Sequence, residues 1–413
     1  MSGRLIRLAS LVLLLSLSAC AASPSRPASN GPAPLLLVSI DGLRADALGQ
    51  GDTPNLDRLA AAGVHAQWMR PSYPVLTFPN HFTLVTGLRP DHHGVIHNSM
   101  NDAALGRFVV ADAQAGRVPG WWQAQPLWVG AEEAGLATAV WAWPGAMAPI
   151  DGVVPRHVHP FDPAVPLPAR METVAGWLTA PAPQRARFAA LYLEQVDKAG
   201  HSFGPHAPQT RQAIRDVDAA LGQLLAALDT AGLAADVVVV SDHGMANVPA
   251  DHYLAVEDMA SMEEAEVTSI GQVIGLVPRP GHAAAVEARL PGRHPHYTCW
   301  RKADIPARLH YGTHPRIPPI VCQMDEGWNA LPRATVERRD ADGGHDRGAH
   351  GYDPDSPTMR AVFIAHGPSF RAGIELPPFD NVDVYPLLAH LLGIAPRPND
   401  GDPATLRPAL ATP

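Results

Sequence analysis

The chain has 413 residues, of which 46% are hydrophobic and 17% are charged, enough to bury a large core. Its formal net charge is −9, from 31 Lys and Arg residues against 40 Asp and Glu residues, and no block of like charges occurs in it. This balance argues against a surface that binds nucleic-acid polymers.

The first 19 residues are predicted to be a signal peptide and not part of the fold. Arg4 and Arg7 precede an apolar run that ends in Leu-Ser-Ala-Cys at residues 17–20. This pattern is typical of a secretory signal, and its ending resembles the processing box of bacterial lipoproteins. We therefore expect a lipid on Cys20 to be the only membrane contact of a protein in the periplasm or at the outer membrane. A plain cleaved signal is the alternative.

The remaining chain is predicted to form one tethered domain. Residues 20–34, rich in Ala, Ser and Pro, predict a flexible tether, and the catalytic domain is expected over residues 35–400. Residues 246–345 are rich in His, Pro and Arg and break the pattern of the rest, so we interpret them as a cap insertion. Cys299 and Cys322 both lie there, and an oxidising compartment would permit a disulfide between them.

Apolar runs that alternate with helical patterns predict an α/β fold, a doubly wound and mostly parallel sheet between helices. Buried parallel strands are expected at 35–42, 137–145, 189–197, 236–244 and 360–367. Helices are expected at 53–63 and 211–232. In such folds, ligands bind at the carboxyl ends of the strands.

The stretch PVLTFPNHFTLVTG, residues 74–87, predicts a short helix that begins near Pro79. The free backbone N–H groups and the positive dipole end of that helix would face the hydroxyl of Thr77. Such a place can hold an anion or activate a hydroxyl against one. Threonine is also a common helix cap, so this stretch alone does not decide between catalysis and capping.

Acidic and histidine side chains follow the predicted strands at the edge where a ligand would bind. They are Asp41, Asp197, His201, Asp242, His243 and His350. Carboxylate oxygens and imidazole nitrogens suit Zn²⁺, and also Mn²⁺ or Fe. An Asp at a strand end is by itself more often a helix cap, and the spacings of Asp and His here also occur by chance, but their joint placement at strand ends favours a metal site. Two sets of three ligands could hold two cations about 4 Å apart, with Thr77 as a bridge, which suits in-line displacement at phosphorus.

The ordered motifs SIDG, YPVLTFPNHFTLVTGLRPDHHGVIHN, YLEQVDKAGH, SDHGM and HGYDP resemble the nucleotide pyrophosphatase/phosphodiesterase family of the alkaline phosphatase superfamily. The resemblance covers about residues 35–395 and implies an alkaline phosphatase-like fold, two Zn²⁺ ions and a threonine nucleophile. Matched by motif, one ion would be held by Asp41, Thr77, Asp242 and His243. The other would be held by Asp197, His201 and His350.

The resemblance also implies substrate-binding positions. Asn98 matches the family asparagine whose amide hydrogen-bonds a phosphoryl oxygen, a role in stabilising an oxyanion. Phe78 and Tyr192 match aromatic positions that flank the nucleoside's base, and bases stack on such rings. Tyr192 also lies in an apolar strand, so a core position is the alternative for its ring.

These assignments imply a phosphodiesterase that converts nucleotide phosphodiesters and pyrophosphates to nucleoside monophosphates through a phospho-threonine intermediate. The C-x-P-x-R pattern of sulfatases is absent from the sequence. Phosphonoacetate hydrolase and choline-type phosphodiesterase activities would use the same metal site, so both stay open. A non-catalytic, ligand-binding lipoprotein is the alternative from another class, although no expected ligand or nucleophile is missing.

Overall fold

The computed structural model describes residues 32–412. The expectations for the signal peptide, for Cys20 and for most of the tether therefore lie outside the described residues. Over residues 32–412, no helix combines the length and the apolar character needed to cross a membrane.

The strands in the described part of the chain are mostly short, and the longest of them belong to two sheets. They are β1 (Leu35–Ile40), β2 (Val64–Ala66), β3 (Met69–Arg70), β4 (Ser99–Asp102), β5 (Gly106–Val109), β6 (Thr138–Trp141), β7 (His157–His159), β8 (Phe188–Leu193), β9 (Asp236–Val240), β10 (Ala246–Asn247), β11 (Tyr253–Ala255), β12 (Ala265–Ser269), β13 (Val273–Pro278), β14 (Gly292–His294), β15 (Tyr297–Arg301), β16 (Ile320–Met324), β17 (Asn329–Leu331), β18 (Gly348–Ala349), β19 (Phe363–His366), β20 (Ile374–Leu376) and β21 (Phe379–Asp380).

The α-helices vary from one turn to more than six turns in length. They are α1 (Pro54–Ala62), α2 (Thr77–Thr86), α3 (Pro90–His93), α4 (Leu127–Glu133), α5 (Leu167–Thr179), α6 (Gln195–Phe203), α7 (Pro208–Thr230), α8 (Val256–Met259), α9 (Ala283–Arg289), α10 (Arg333–Asp342) and α11 (Val384–Leu392).

An eight-stranded sheet with the order β20-β2-β19-β9-β1-β8-β6-β7 forms the centre of the fold. Its neighbours from β9 to β7 pair in parallel, which confirms the predicted α/β sheet. The expectation of a parallel strand at 360–367 was wrong, because β19 runs antiparallel to both β9 and β2. An apolar run indicates burial on both faces, whereas strand direction depends on the connection that precedes it.

The central strand β1 shows why the sheet is covered on both faces. All six of its residues are buried. Successive side chains of a strand point to opposite faces, so Leu35 and Leu37 enter one core and Leu36 and Val38 enter the other. Helices α2, α4 and α11 contribute to the first core, and α1, α5 and α7 contribute to the second. The carboxyl end of β1 is therefore held rigidly between two packed layers.

Helix α2 begins two residues earlier than expected, at Thr77. Leu76 precedes it in an extended conformation and occupies the N-cap position. Pro79 is the third helical residue, where a backbone N–H has no acceptor within the helix, so proline removes no hydrogen bond there. Thr77 is thus the first residue of the helix and not its cap.

The segment predicted to be a cap contains its own antiparallel sheet, with strand order β12-β13-β16-β15-β14. Strands β15 and β16 place Cys299 opposite Cys322, and the two residues form a disulfide. The register explains the pairing, since directly opposed residues of antiparallel strands lie close together. The domain boundaries 35–400 and 246–345 themselves stay predictions.

Arg316 ties this segment to residues 94–122, which run beside the site described below. Only 2% of its side chain is exposed. Its guanidinium donates to Asp102 Oδ2 at 2.8 Å and to the carbonyl oxygens of Gly94, Gly120 and Trp121 at 2.7–2.9 Å. One buried cation therefore satisfies three carbonyl groups and one carboxylate.

Arg316→Met is expected to lower the free energy of unfolding by about 3–5 kcal/mol, because it leaves a carboxylate and three carbonyl groups without their donor. Chemical denaturation measures this loss. Arg301→Met is the matched control: its side chain is 47% exposed and its ion pairs are long, so it should change stability by less than about 1 kcal/mol. Equal denaturation midpoints for the two variants would contradict the role assigned to Arg316.

Candidate active site

The fold brings the predicted site residues together at one edge of the central sheet. Asp41 directly follows β1, Asp242 and His243 follow β9, and Asp197 and His201 lie on α6 just after β8. The carboxyl ends of parallel strands meet at the same edge, which explains this convergence. Thr77 on α2 and His350 after β18 complete the set.

The Asp and His side chains form two groups that could each hold a metal ion. One contains Asp197, His201 and His350, and the other contains Asp41, Asp197 and His243; the ligand atoms within each group lie within 4.8 Å of one another. Asp197 Oδ1 is 3.4 Å from His201 Nε2 and 3.5 Å from His350 Nε2. Because Asp197 belongs to both groups, the two candidate positions are adjacent.

All three histidines present the same ring nitrogen to the site. The Nδ1 atoms of His201, His243 and His350 lie 2.9–3.0 Å from the carbonyl oxygens of Gly348, Gly244 and Val75, respectively. A carbonyl oxygen only accepts, so each Nδ1 carries a hydrogen and donates, which leaves each Nε2 facing the site. This is the arrangement that orients histidine ligands around a metal.

The electrostatics also fit a bound cation. Burial, and then the charges of Asp242 and Asp197, raise the pKa of Asp41 well above its usual value. Three buried carboxylate oxygens, one each from Asp41, Asp197 and Asp242, have no hydrogen-bond donor among the described residues. Crowded carboxylates without donors are costly unless a cation joins them, so these residues fit a metal centre.

Asp242 lies beside these groups and belongs to neither. Its Oδ1 accepts the backbone N–H of Gly42 at 3.2 Å, and its Oδ2 is 2.9 Å from His243 Nε2. Gly42 has φ of +69°, and a Cβ there would lie 3.1 Å from the Cα and Cβ atoms of Asp197. Glycine is thus required for the turn after Asp41 to approach α6.

Thr77 and Asn98 lie at the start of α2. Thr77 Oγ1 is 3.4 Å from His243 Nε2, which places the hydroxyl beside one of the two groups. Asn98 Oδ1 accepts the backbone N–H of Phe78 at 3.0 Å. With its oxygen occupied, the side chain of Asn98 has its Nδ2 group left as a donor for a ligand.

Next to Thr77 opens a mainly apolar cavity of about 400 Å³, within the size range of small-molecule sites. Phe78 and Tyr192 line it, as do Phe108, Trp122, Trp143 and Phe161. Phe161 was missed from the sequence. Its ring is 6.1 Å from that of Tyr192 and the residue is 52% exposed, so a large apolar ring stands at the cavity wall. An aromatic residue in a Pro-rich loop was the only available signal.

Tyr192 both lines the cavity and hydrogen-bonds a site residue, and the apolar pattern of its strand predicted neither role. Its ring lines the cavity, and its hydroxyl donates to Asp41 Oδ2 at 2.6 Å. Burial, and then the charge of Asp41, raise the pKa of Tyr192 well above its usual value, so the phenol stays protonated and donates. The contact with Asp41 could not be found from sequence because the partners are 151 positions apart.

Comparison with known proteins places the chain in a family. Residues 35–353 match the model of the type I phosphodiesterase/nucleotide pyrophosphatase family. The chain is 34% identical over 412 residues to ectonucleotide pyrophosphatase/phosphodiesterase family member 3 of Bos taurus, covering 95% of this chain and 46% of that protein. It is also 34% identical over 413 residues to the venom phosphodiesterase of Crotalus durissus collilineatus, covering 95% and 48%.

Solved structures agree with these matches. Murine ectonucleotide pyrophosphatase/phosphodiesterase 5, described as an inactive threonine-to-alanine variant in complex with AMP, superposes with a TM-score of 0.86. The two share 32% identity over 92% of this chain and 100% of that one. The human counterpart superposes equally well, at 31% identity. The expected alkaline phosphatase-like fold is thereby confirmed.

The chain spans about half the length of the curated relatives it matches. The family model nevertheless covers most of it, including Thr77, Asn98 and the Asp and His residues of both groups. The chain therefore belongs to the type I phosphodiesterase/nucleotide pyrophosphatase family.

Proposed function

We propose that the protein is a metal-dependent phosphodiesterase that hydrolyses nucleotide phosphodiesters and pyrophosphates to nucleoside monophosphates. The observation that carries this proposal is a threonine hydroxyl, that of Thr77, set between an Asp/His cluster and an aromatic cavity. The names of the relatives support the reaction class. The inactive threonine variant of the murine relative, in complex with AMP, supports both the nucleophile and a nucleotide substrate.

The donor set supports two Zn²⁺ ions. Asp197, His201 and His350 would hold one, and Asp41 and His243, with Thr77 and Asp242 beside them, would hold the other. Nitrogen and carboxylate oxygen ligands in sets of three, with a position left open, are typical of catalytic zinc. When bound, such ions supply Lewis acidity to a phosphoryl oxygen and lower the pKa of an adjacent hydroxyl.

In the proposed mechanism, Thr77 Oγ1 attacks phosphorus in line with the leaving oxygen. A P–O bond to Thr77 forms as the P–O bond to the leaving group breaks, the hydroxyl proton passes to solvent, and the nucleoside stays on the phospho-threonine. Water then breaks the bond between Thr77 Oγ1 and phosphorus, which releases the nucleoside monophosphate and restores the hydroxyl. The positive end of the α2 dipole, at Thr77, attracts the phosphoryl group. Asn98, oriented by its bond to the Phe78 N–H, donates from Nδ2 to a phosphoryl oxygen.

The aromatic cavity supports a nucleoside as the group next to phosphorus. Six aromatic side chains line it, among them Phe78, Trp122, Phe161 and Tyr192. Stacking of a base on an aromatic side chain contributes about 1–3 kcal/mol and tolerates every base. The cavity would therefore bind nucleotides without strong discrimination between bases.

The Phe161→Ala variant tests this proposal. We expect kcat/KM for the nitrophenyl ester of thymidine monophosphate to fall by about 5- to 100-fold, because the base loses a stacking surface. Methyl nitrophenyl phosphate lacks the nucleoside, so its hydrolysis should not change. Steady-state kinetics on the wild type and the variant measure both. An equal effect on the two substrates, or none on the thymidine ester, would contradict nucleoside binding in the cavity.

A further inference from the structure

His81, a histidine that the motif analysis left without a role, contacts both Thr77 and Asp242. It lies on α2 one turn after Thr77 and is 0% exposed. Its Nδ1 is 2.8 Å from the carbonyl oxygen of Thr77 and 3.3 Å from Asp242 Oδ2. Its Nε2 is 2.8 Å from the hydroxyl of Ser39, on β1 two residues before Asp41. One ring thus joins three chain segments of the site.

The partners of His81 define which nitrogen carries hydrogen. The carbonyl oxygen of Thr77 only accepts, so Nδ1 is the donor. Nε2 then accepts from the hydroxyl of Ser39. The same Nδ1 lies 3.3 Å from Asp242 Oδ2, an oxygen that is also 2.9 Å from His243 Nε2. The Nδ1 side of the ring therefore faces both the backbone of Thr77 and the carboxylate of Asp242.

Two aromatic rings prevent His81 from turning. Trp143 and Tyr192 both pack edge-on against the imidazole, each with 5.0 Å between ring centroids. The indole N–H of Trp143 also donates to the backbone carbonyl of His81 at 3.0 Å. Such packing fixes the orientation of the imidazole and therefore of its two hydrogen bonds.

We propose that His81 is a positioning residue for hydrolysis, which sets Thr77 and Asp242 in a fixed relation to one another. It does not touch the substrate and acts through these two groups. The inference rests on the proposed function, because it assigns to Thr77 and Asp242 the parts described there. Side chains that orient ligands of a metal typically change affinity or activity by about 10- to 100-fold when they are replaced.

Three variants of His81 separate its two hydrogen bonds. His81→Phe keeps a ring of similar shape and removes both bonds. His81→Asn offers an amide N–H near the position of Nδ1, and His81→Gln offers an amide near the position of Nε2. We expect kcat to fall about 10- to 100-fold for His81→Phe and His81→Gln with KM little changed. His81→Asn should recover most of that loss.

His93 provides the matched control. It is also fully buried, and its Nε2 lies 3.1 Å from Thr83 Oγ1 and 3.2 Å from the carbonyl oxygen of Pro79, away from the Asp and His groups. His93→Phe should lower the melting temperature and leave kcat per folded molecule unchanged. A loss of kcat in His93→Phe equal to that in His81→Phe, or unchanged kcat in all His81 variants, would overturn the positioning role.

A zinc titration followed by thermal unfolding distinguishes failure of this inference from failure of the proposed function. We expect His81→Phe to need about tenfold more zinc, or more, than His93→Phe for the same rise in melting temperature. If the wild type hydrolyses no diester, the proposed function fails. A difference in zinc dependence between the two variants would still show that His81 positions Asp242. Equal zinc dependence in the two variants would then overturn the inference. If His81→Phe does not fold, the Asn and Gln variants give the same comparison.

Discussion

Thr77→Ala is expected to lower kcat for nucleotide diesters by about 10⁴-fold or more, because the reaction then lacks its nucleophile. Stability should change little, since within residues 32–412 the hydroxyl has one hydrogen-bond partner, His243 Nε2, at the long distance of 3.4 Å. Zinc content should also stay near that of the wild type, because the Asp and His ligands remain. Steady-state kinetics, metal analysis and the melting temperature measure the three expectations.

Thr77→Ser is the control for this substitution, because it keeps a hydroxyl at the same position. It should retain far more activity than the alanine variant. Mass spectrometry of protein quenched during turnover should find a nucleoside monophosphate adduct on the wild type and the serine variant, and none on the alanine variant. Near-normal turnover by Thr77→Ala would refute the threonine mechanism.

Asp197→Asn is expected to have opposite effects on the metal-free and the zinc-loaded protein. Asp197 belongs to both candidate groups, so the variant should bind less than the wild-type amount of zinc and lose more than about 100-fold in kcat. In the wild type, the pKa of Asp41 is raised first by burial, then by the charge of Asp242 and then by the charge of Asp197. Removing that repulsion should raise the melting temperature without metal, whereas weaker zinc binding should lower it with metal.

Asp216→Asn makes the same chemical change on an exposed face of α7, where Gln212 is its hydrogen-bond partner. It should leave the melting temperature unaltered in both states. The measurement is thermal unfolding with a chelator and with excess zinc. A lower melting temperature for Asp197→Asn without metal, or unchanged zinc dependence, would show that the carboxylates are not arranged around cations.

The sequence predicted the parts of the site whose signals are local. Asp41, Asp242 and His243 each follow an apolar run, and parallel strands bring such positions to one edge. Pro79 predicted a helix start beside Thr77, and the resemblance of the surrounding motif to the family then indicated its role as nucleophile. These signals depend on a few neighbouring residues, so they can be recognised without knowledge of the tertiary structure.

The missed features depend on contacts between distant segments. Tyr192 reaches Asp41 across 151 positions, and Arg316 reaches Asp102 across 214. His81 looked like an ordinary helix residue because its partners Ser39 and Asp242 come from distant parts of the chain. The predicted direction of β19 was wrong for the same reason. An apolar run does not indicate which strands it pairs with or in which direction.

The site also suggests the charge of the substrate. In the described part of the chain, the basic side chains within 4 Å of the carboxylates of Asp41, Asp197 and Asp242 are all histidines, and none is an arginine or a lysine. Dianionic phosphate monoesters are usually held by such cationic side chains. A monoanionic diester with an apolar group for the aromatic cavity fits this arrangement better.

The central claim is tested most directly by comparing kcat/KM on the zinc-loaded wild-type protein for three substrates. They are the nitrophenyl ester of thymidine monophosphate, nitrophenyl phosphate and phosphonoacetate. We predict that the thymidine diester is favoured over both others by at least about tenfold. A ratio near one, or a preference for nitrophenyl phosphate or phosphonoacetate, would contradict the phosphodiesterase assignment and indicate a monoesterase or a phosphonate hydrolase.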